Sequence, residues 1–381
     1  MLENYVRTDL ALELKEDISE KNDIAGVRVE TYEDSEYGLT KTHIRVLDQT
    51  GAEILGKPIG NYITLESSKL CSEDENIHMP FVLALHDVLK ELLHGADHIL
   101  VIGLGNRNIT PDALGPSVVD HLYITRHLLR EGVVKHSMEI SALCPGVMAQ
   151  TGIETSTIIQ SLCREINPDV VICIDALAAR EAERLNTTIQ VCDTGITPGA
   201  GVGNRRLSLN EETLGVPVIA VGVPTVISMP AMISHAMEGL LEKLPVSVLR
   251  QYEKEIVEFI QTPTVSSMFV TPKNIDELIG RVSFTISEAI NGFLTEDRWI
   301  CIYLRYVEKL GENYIDVSGM CIMSGCTGTA GCYNAIRSGT GVLPRDCGAC
   351  PACGYDRFEA SESVCSGACG FGGGYDRKPV G

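Results

Sequence analysis

Apolar and polar positions alternate residue by residue in three early stretches of the chain. Val27 to Thr31 and His43 to Leu47 have the two-residue period of half-buried strands, and Gly60 to Glu66 repeats it after the turn Lys57-Pro-Ile-Gly60. The period then changes. Phe81, Leu85, Val88, Leu89 and Leu92 fall on one helical face, and Gly95 is the expected stop. Next comes an apolar run, His98 to Gly103, that breaks at Gly103 and Gly105 into a polar loop from Asn106 to Pro111. Asp112 follows, and a helix is predicted from Pro116 to Leu129. Further on, Met138 to Leu143 reads as a short strand, and a helix runs from the Gly152–Ser156 segment to Ile166. Val170 to Ile174 is a buried-strand pattern that delivers Asp175 at its end, before a short charged helix through Arg184. Thr187 to Cys192 is another strand, ending at Asp193. A glycine-rich loop occupies Gly195 to Asn204, Val216 to Val223 is a last core strand, and helices are predicted over 230–244 and 273–294. Alternating strands and helices of these lengths predict an α/β fold, a twisted and mostly parallel sheet flanked by helices.

Composition changes the picture at the C-terminal end. Beyond Thr295 the periodicity fades, and nine of the chain's 14 cysteines lie between Cys301 and Cys369, so residues 295–381 are read as a separate Cys/Gly-rich tail. Cys347, Cys350, Cys353, Cys365 and Cys369 are its weak candidates for a thiolate zinc site. Their spacing fits no standard zinc knuckle, and a glycine-rich appendage is the favoured reading. The formal net charge of -20 argues against nucleic acid as a direct partner, because phosphate binding needs a basic face. Val216 to Ile233, the longest apolar region, is interrupted by Pro217, Pro224 and Pro230, so no membrane span is expected. With no signal-type apolar core at the N-terminus, a cytoplasmic protein is expected.

Candidate chemistry centres on the two strand-end aspartates. In open α/β sheets ligands sit beyond the carboxyl ends of the strands, so Asp112 and Asp175 face one crevice if their strands are neighbours. Hydrolysis without a cofactor needs a base to activate water and an acid for the leaving group. Two close carboxylates sharing one proton supply both. Alone, each aspartate would more readily be read as a turn or helix cap. Asp193 is a possible third carboxylate, with a structural role favoured. Gly103, Gly105, Asn106, Gly199 and Gly201 form loops where backbone can approach a ligand or offer N–H groups to an oxyanion. Asn108 replaces the third glycine of a nucleotide fingerprint, so no cofactor is expected. Cys173 is read as a structural thiol.

The stretches Tyr5–Ala11, Gly60–Leu65, 101–116, Pro145–Met148, Thr151–Thr155 and Ile174–Arg180 carry a family pattern. It continues in order through Asn186–Gln190, Asp193–Gly195, Gly199–Asn204, Gly215–Val226 and Val270–Lys273. Together they resemble the germination proteases of spore-forming bacteria, endopeptidases that degrade small acid-soluble spore proteins. The resemblance implies a hydrogenase-maturation-protease-like fold, a self-processing zymogen in the forespore or spore core, and a homotetramer. Its aspartate pair maps onto Asp112 and Asp175. Thr8-Asp9-Leu10-Ala11 is similar to the family's substrate context, Thr-Glu-(Ile or Phe)-Ala, which implies a propeptide of residues 1–9, cleavage between Asp9 and Leu10, and a protease domain over 10–294. In the related maturation proteases acidic groups and a histidine bind a metal, but Thr197 stands where that histidine is expected. That weakens a metal-dependent maturation-type protease, which stays one alternative with an all-oxygen site. A non-catalytic scaffold with a metal-binding tail is another. The chain departs from the pattern in a short span between Val226 and Val270 and in the tail, which has no family counterpart.

Overall fold

The early alternation builds an antiparallel meander of β1 (Val27–Asp34), β2 (Leu39–Val46) and β3 (Gly60–Glu66), with helix α2 (Gln49–Leu55) between the last two. A short helix, α1 (Ala11–Ile18), precedes them. The computed structural model describes residues 8–294 except 19–23, 36, 72–77, 135–136, 200–206, 242–254 and 256. The tail with its five candidate cysteines, Gly201 and residues 1–7 lie outside the described residues.

Strands β4 (His98–Gly103), β5 (Glu139–Leu143), β6 (Val170–Ala179), β7 (Thr188–Cys192) and β8 (Val218–Ser228) complete one sheet in the order β1-β2-β3-β7-β8-β6-β4-β5, with β9 (Phe269–Val270) paired to β8. Pairing is parallel only along β5-β4-β6-β8. The other described pairings are antiparallel, so the sheet is mixed where a mostly parallel one was predicted. Connection length explains only the β1–β2 hairpin, since the β2–β3 and β7–β8 links are long enough to hold a helix and are antiparallel all the same. A parallel return needs a crossover of about a dozen residues or more, and the β1–β2 link is too short to hold one.

Helices cover both faces. On one, Phe81, Leu85 and Leu89 of α3 (His78–Leu93) join Leu114 and Val118 of α4 (Leu114–Asp120). With Val282 and Ile286 of the Ile275–Asn291 helix they pack on Val101, Ile172, Ile174 and Val221. On the other, Ile159 and Cys163 of the Thr155–Ile166 helix meet Leu100, Ile102, Val171 and Cys173, while Ala11, Leu12 and Leu55 meet Ile44 and Tyr62. Strands buried on both faces read as continuous apolar runs, which is why β4, β6 and β8 were visible in sequence.

Two boundaries differ from expectation for stated reasons. The helix predicted over 116–129 divides into Leu114–Asp120 and Arg126–Arg130. At the break Asn291 accepts from the Tyr123 N–H at 3.0 Å and donates to the His121 carbonyl at 3.0 Å, replacing helical bonds with tertiary ones. Strand β6 runs on through Asp175 to Ala179, because β8 stays paired with it beyond the end of β4. No helix among the described residues is long and apolar enough to cross a membrane.

Candidate active site

Strands β4 and β6 are parallel neighbours in register from Ile99↔Val170 to Gly103↔Ile174. Asp175 is the next residue of β6. It is buried, and its Oδ1 accepts from the Ala176 N–H at 3.0 Å. The loop after β4 carries Asp112 at the end of a 3-10 turn, Thr110–Asp112, and its Oδ2 accepts from the Asn106 N–H at 2.8 Å. Two hydrogen bonds tie this loop to the strands, and a close approach within it fixes its shape. The Leu104 N–H donates to the Ile174 carbonyl at 2.8 Å, and Thr225 Oγ1 of β8 donates to the Pro111 carbonyl at 2.7 Å. Gly105 has φ 104°, and a Cβ there would lie 2.0 Å from the Asp112 carbonyl oxygen. Thus Asp112 lies in the loop that leaves the carboxyl end of β4, and Asp175 is the first β6 residue past the β4 ladder, beside the place where a ligand crevice belongs in such sheets.

The N-terminal segment lies against the same strand. Asp9 grips Ala178, its N–H donating to the Ala178 carbonyl at 3.0 Å and its carboxylate accepting the Ala178 N–H at 2.9 Å. Leu10 is fully buried among Leu177 and Ala179. The Asp9 carbonyl accepts from Lys57 Nζ at 2.8 Å and Gln190 Nε2 at 3.3 Å, while the Ala11 N–H donates to Gln190 Oε1 at 2.7 Å. Glu13 locks the next turn. Its carboxylate takes the N–H groups of Arg180 at 2.9 Å and Glu181 at 3.0 Å, and the Thr8 hydroxyl. Arg184 lies 3.7 Å from Glu13, 2.7 Å from Glu16, 3.2 Å from Glu66 and 3.0 Å from Glu181.

Register decides which other residues reach the site. Asp175 pairs with Gly222, and Gly222 with Gln190, so these three form one row and project from one face. Asp193 falls beyond Cys192, toward the amino ends of β6 and β8. There its carboxylate accepts the Asn61 N–H at 2.7 Å and Asn61 Nδ2 at 2.6 Å. The structure does not bring it to the pair. Asn106 spends its N–H on Asp112, and its side-chain oxygen accepts from Asn108 and Gln150. Gly103 ends β4, and Gly199 sits in a turn with φ 72°. Burial, and then the Asp175 carboxylate, push the Cys173 thiol well above its ordinary range, so it is no nucleophile. Thr197 is bonded to Ser208 at 2.7 Å. Among the described residues no three His, Cys, Asp or Glu side chains are gathered to hold a metal ion. Sequence reading passed over Lys57 and Gln190. The available signal was a glutamine inside the apolar strand Thr188–Cys192, since a buried polar residue asks for a partner.

The chain matches the family described as germination protease over residues 7–248. It is 43% identical over 304 residues to a germination protease of Caldanaerobacter subterraneus subsp. tengcongensis, covering 75% of this chain and 93% of that one. It is 36% identical to that of Bacillus subtilis, covering 76% and 94%. Among solved structures it is similar to a [NiFe] hydrogenase maturation protease, HycI, from Thermococcus kodakarensis KOD1, with 18% identity, 53% and 98% coverage and a TM-score of 0.28.

Proposed function

The chain belongs to the germination protease family, and we propose that it is an endopeptidase, made as a self-processing zymogen, that begins the breakdown of small acid-soluble spore proteins at germination. Asp112 and Asp175 act as the acid–base pair. One carboxylate takes a proton from water as it adds to the peptide carbonyl, and the other gives its proton to the leaving nitrogen. Neighbouring carboxylates suit this division, because two like charges close together do not both ionise readily. Residues 1–9 are the propeptide, the working form is a homotetramer, and the enzyme acts in the forespore and spore core.

The observation that carries the reading is the seat of Thr8–Ala11. A substrate-like sequence lies along β6 just beyond Asp175, with the acid before the proposed cleavage point bonded to Ala178 and Leu10 buried after it. Such a segment covers the crevice until it is cut. Incubation with an acid-soluble spore protein, with fragments read by mass spectrometry, tests the activity. Cuts after the acid of Thr-Glu-(Ile or Phe)-Ala and a matured chain starting at Leu10 are expected. An active enzyme that still begins at Met1 would contradict the zymogen. Loss of activity on chelation, restored by a divalent ion, would favour a metal-dependent mechanism instead.

A further inference from the structure

We infer that Lys57 and Gln190 form the cradle that stabilises the oxyanion of the scissile peptide, occupied here by the carbonyl of Asp9 and in turnover by the substrate carbonyl. The inference rests on the reading of Asp9–Leu10 as the bond that is cut. Its basis is geometric. The Asp9 carbonyl belongs to that bond, and it accepts from both Lys57 Nζ and Gln190 Nε2, at 2.8 and 3.3 Å. Gln190 also takes the Ala11 N–H at 2.7 Å, so one side chain measures the peptide on both sides of the bond. The shared row places Gln190 on the face from which Asp175 projects, with Gly222 between them and the Leu177 side chain packed over that glycine. Leu10 lies over that face, against Leu177, two residues beyond Asp175.

The cradle is held from behind. Lys57 follows Gly56, which closes α2 with φ 68° and an N–H bond to the Ala52 carbonyl at 2.9 Å. The Tyr62 hydroxyl donates to the Pro58 carbonyl at 3.0 Å, fixing the turn on the other side. Around the ammonium, burial pulls the Lys57 pKa below its ordinary value, while the Asp9 charge pulls the other way. A partly buried cation gains more than a fully solvated one when negative charge forms beside it. As water adds to the Asp9 carbon, the C–O π pair moves onto the oxygen facing Lys57 and Gln190. The water proton goes to the ionised aspartate. Collapse breaks the bond to the Leu10 nitrogen, which takes the proton of the other aspartate. One water is consumed, and an acid and an amine are released.

The test uses the full-length chain and its own Asp9–Leu10 bond. Intact mass follows the first-order appearance of the Leu10 terminus in wild type, Lys57→Met, Lys57→Arg and Asp175→Asn. Deuterium uptake at the Ala178 amide reports whether the segment is still docked. Lys57→Met is expected to slow cleavage by roughly 100-fold, the typical loss for one oxyanion donor. Ala178 should stay protected, and Lys57→Arg should recover about tenfold of the rate. Cleavage of Lys57→Met within threefold of wild type overturns the cradle. So does a slowed variant whose Ala178 protection is also lost, since Lys57 then only anchors the segment. A wild-type chain that yields no Leu10 terminus, like Asp175→Asn, counts against the zymogen reading itself, and the cradle falls with it.

Discussion

Asp175 and Asp112 are held by bonds that an asparagine can also accept, from the Ala176 and Asn106 N–H groups. Asp112→Asn and Asp175→Asn should therefore keep the fold and lose the proton chemistry. A fall of at least ~100-fold in kcat is expected for removing a general acid or base, with an unchanged circular dichroism spectrum. Near-normal turnover by either folded variant removes it from the pair. Both aspartates were legible in sequence because a strand and a following polar residue are neighbours in the chain. Lys57 and Gln190 were not, since they meet only through residue 9, across separations of 48 and 181 positions. Periodicity reports which face a residue takes, never which distant backbone it touches. The structural role favoured for Asp193 agrees with its two bonds to Asn61 and with the direction of β7, which carries it away from the Asp175 row.

Among the elements, α1 shows how far local pattern falls short. The charged sequence of residues 1–24 carries little apolar periodicity, yet Ala11–Ile18 is helical, with Leu10, Ala11 and Leu12 buried. A helix this short is marginal alone, so tertiary bonds decide it. Glu13 makes the main ones. Its carboxylate is fully buried, and burial raises its pKa above 4.5, opposed by the Thr8, Arg180 and Glu181 bonds and the Arg184 charge. The sign follows from linkage. A raised pKa means that docking favours the protonated acid, so this contribution is full below the unfolded value and is lost as pH rises through the docked value. Proteolytic nicking within Ala11–Ile18 should then grow as pH rises above the ordinary carboxylate range in wild type, beyond the protease's own pH response. It should change little in Glu13→Gln. Parallel pH courses for the two proteins would show that Glu13 does not govern docking. Strand β6 makes the same point about length. Its apolar run ends at Ile174, but pairing with β8 carries it to Ala179 and so makes the ledge on which Asp9 rests.

At the scale of the whole molecule the sequence divides where the chemistry does. The layered α/β plan was legible because two faces of helices leave their periods in the chain. The antiparallel half was not, because strand direction depends on connection geometry more than on residue type. The last described helix, Ile275–Asn291, packs Val282, Ile286 and Ile290 into the main core. Leu294 closes it, 3% exposed, with its carbonyl accepting from Ser137 Oγ at 2.8 Å. The family match ends at residue 248, and the Caldanaerobacter and Bacillus relatives align with 75% and 76% of this chain while being covered almost completely themselves. Every residue assigned here to catalysis or to the cradle lies before position 223. A chain ending at Leu294 should therefore fold and process itself at Leu10. Its kcat/KM on an acid-soluble spore protein should stay within about threefold of the full chain, and its Tm within about 2 °C, the shift that under ~1 kcal/mol produces in a domain of this size. Purification of the two forms in parallel, with scanning calorimetry and fragment analysis, makes the comparison. A truncated chain that precipitates, or that folds but fails to cut, would make residues 295–381 part of the protease domain and move its boundary past the last core helix.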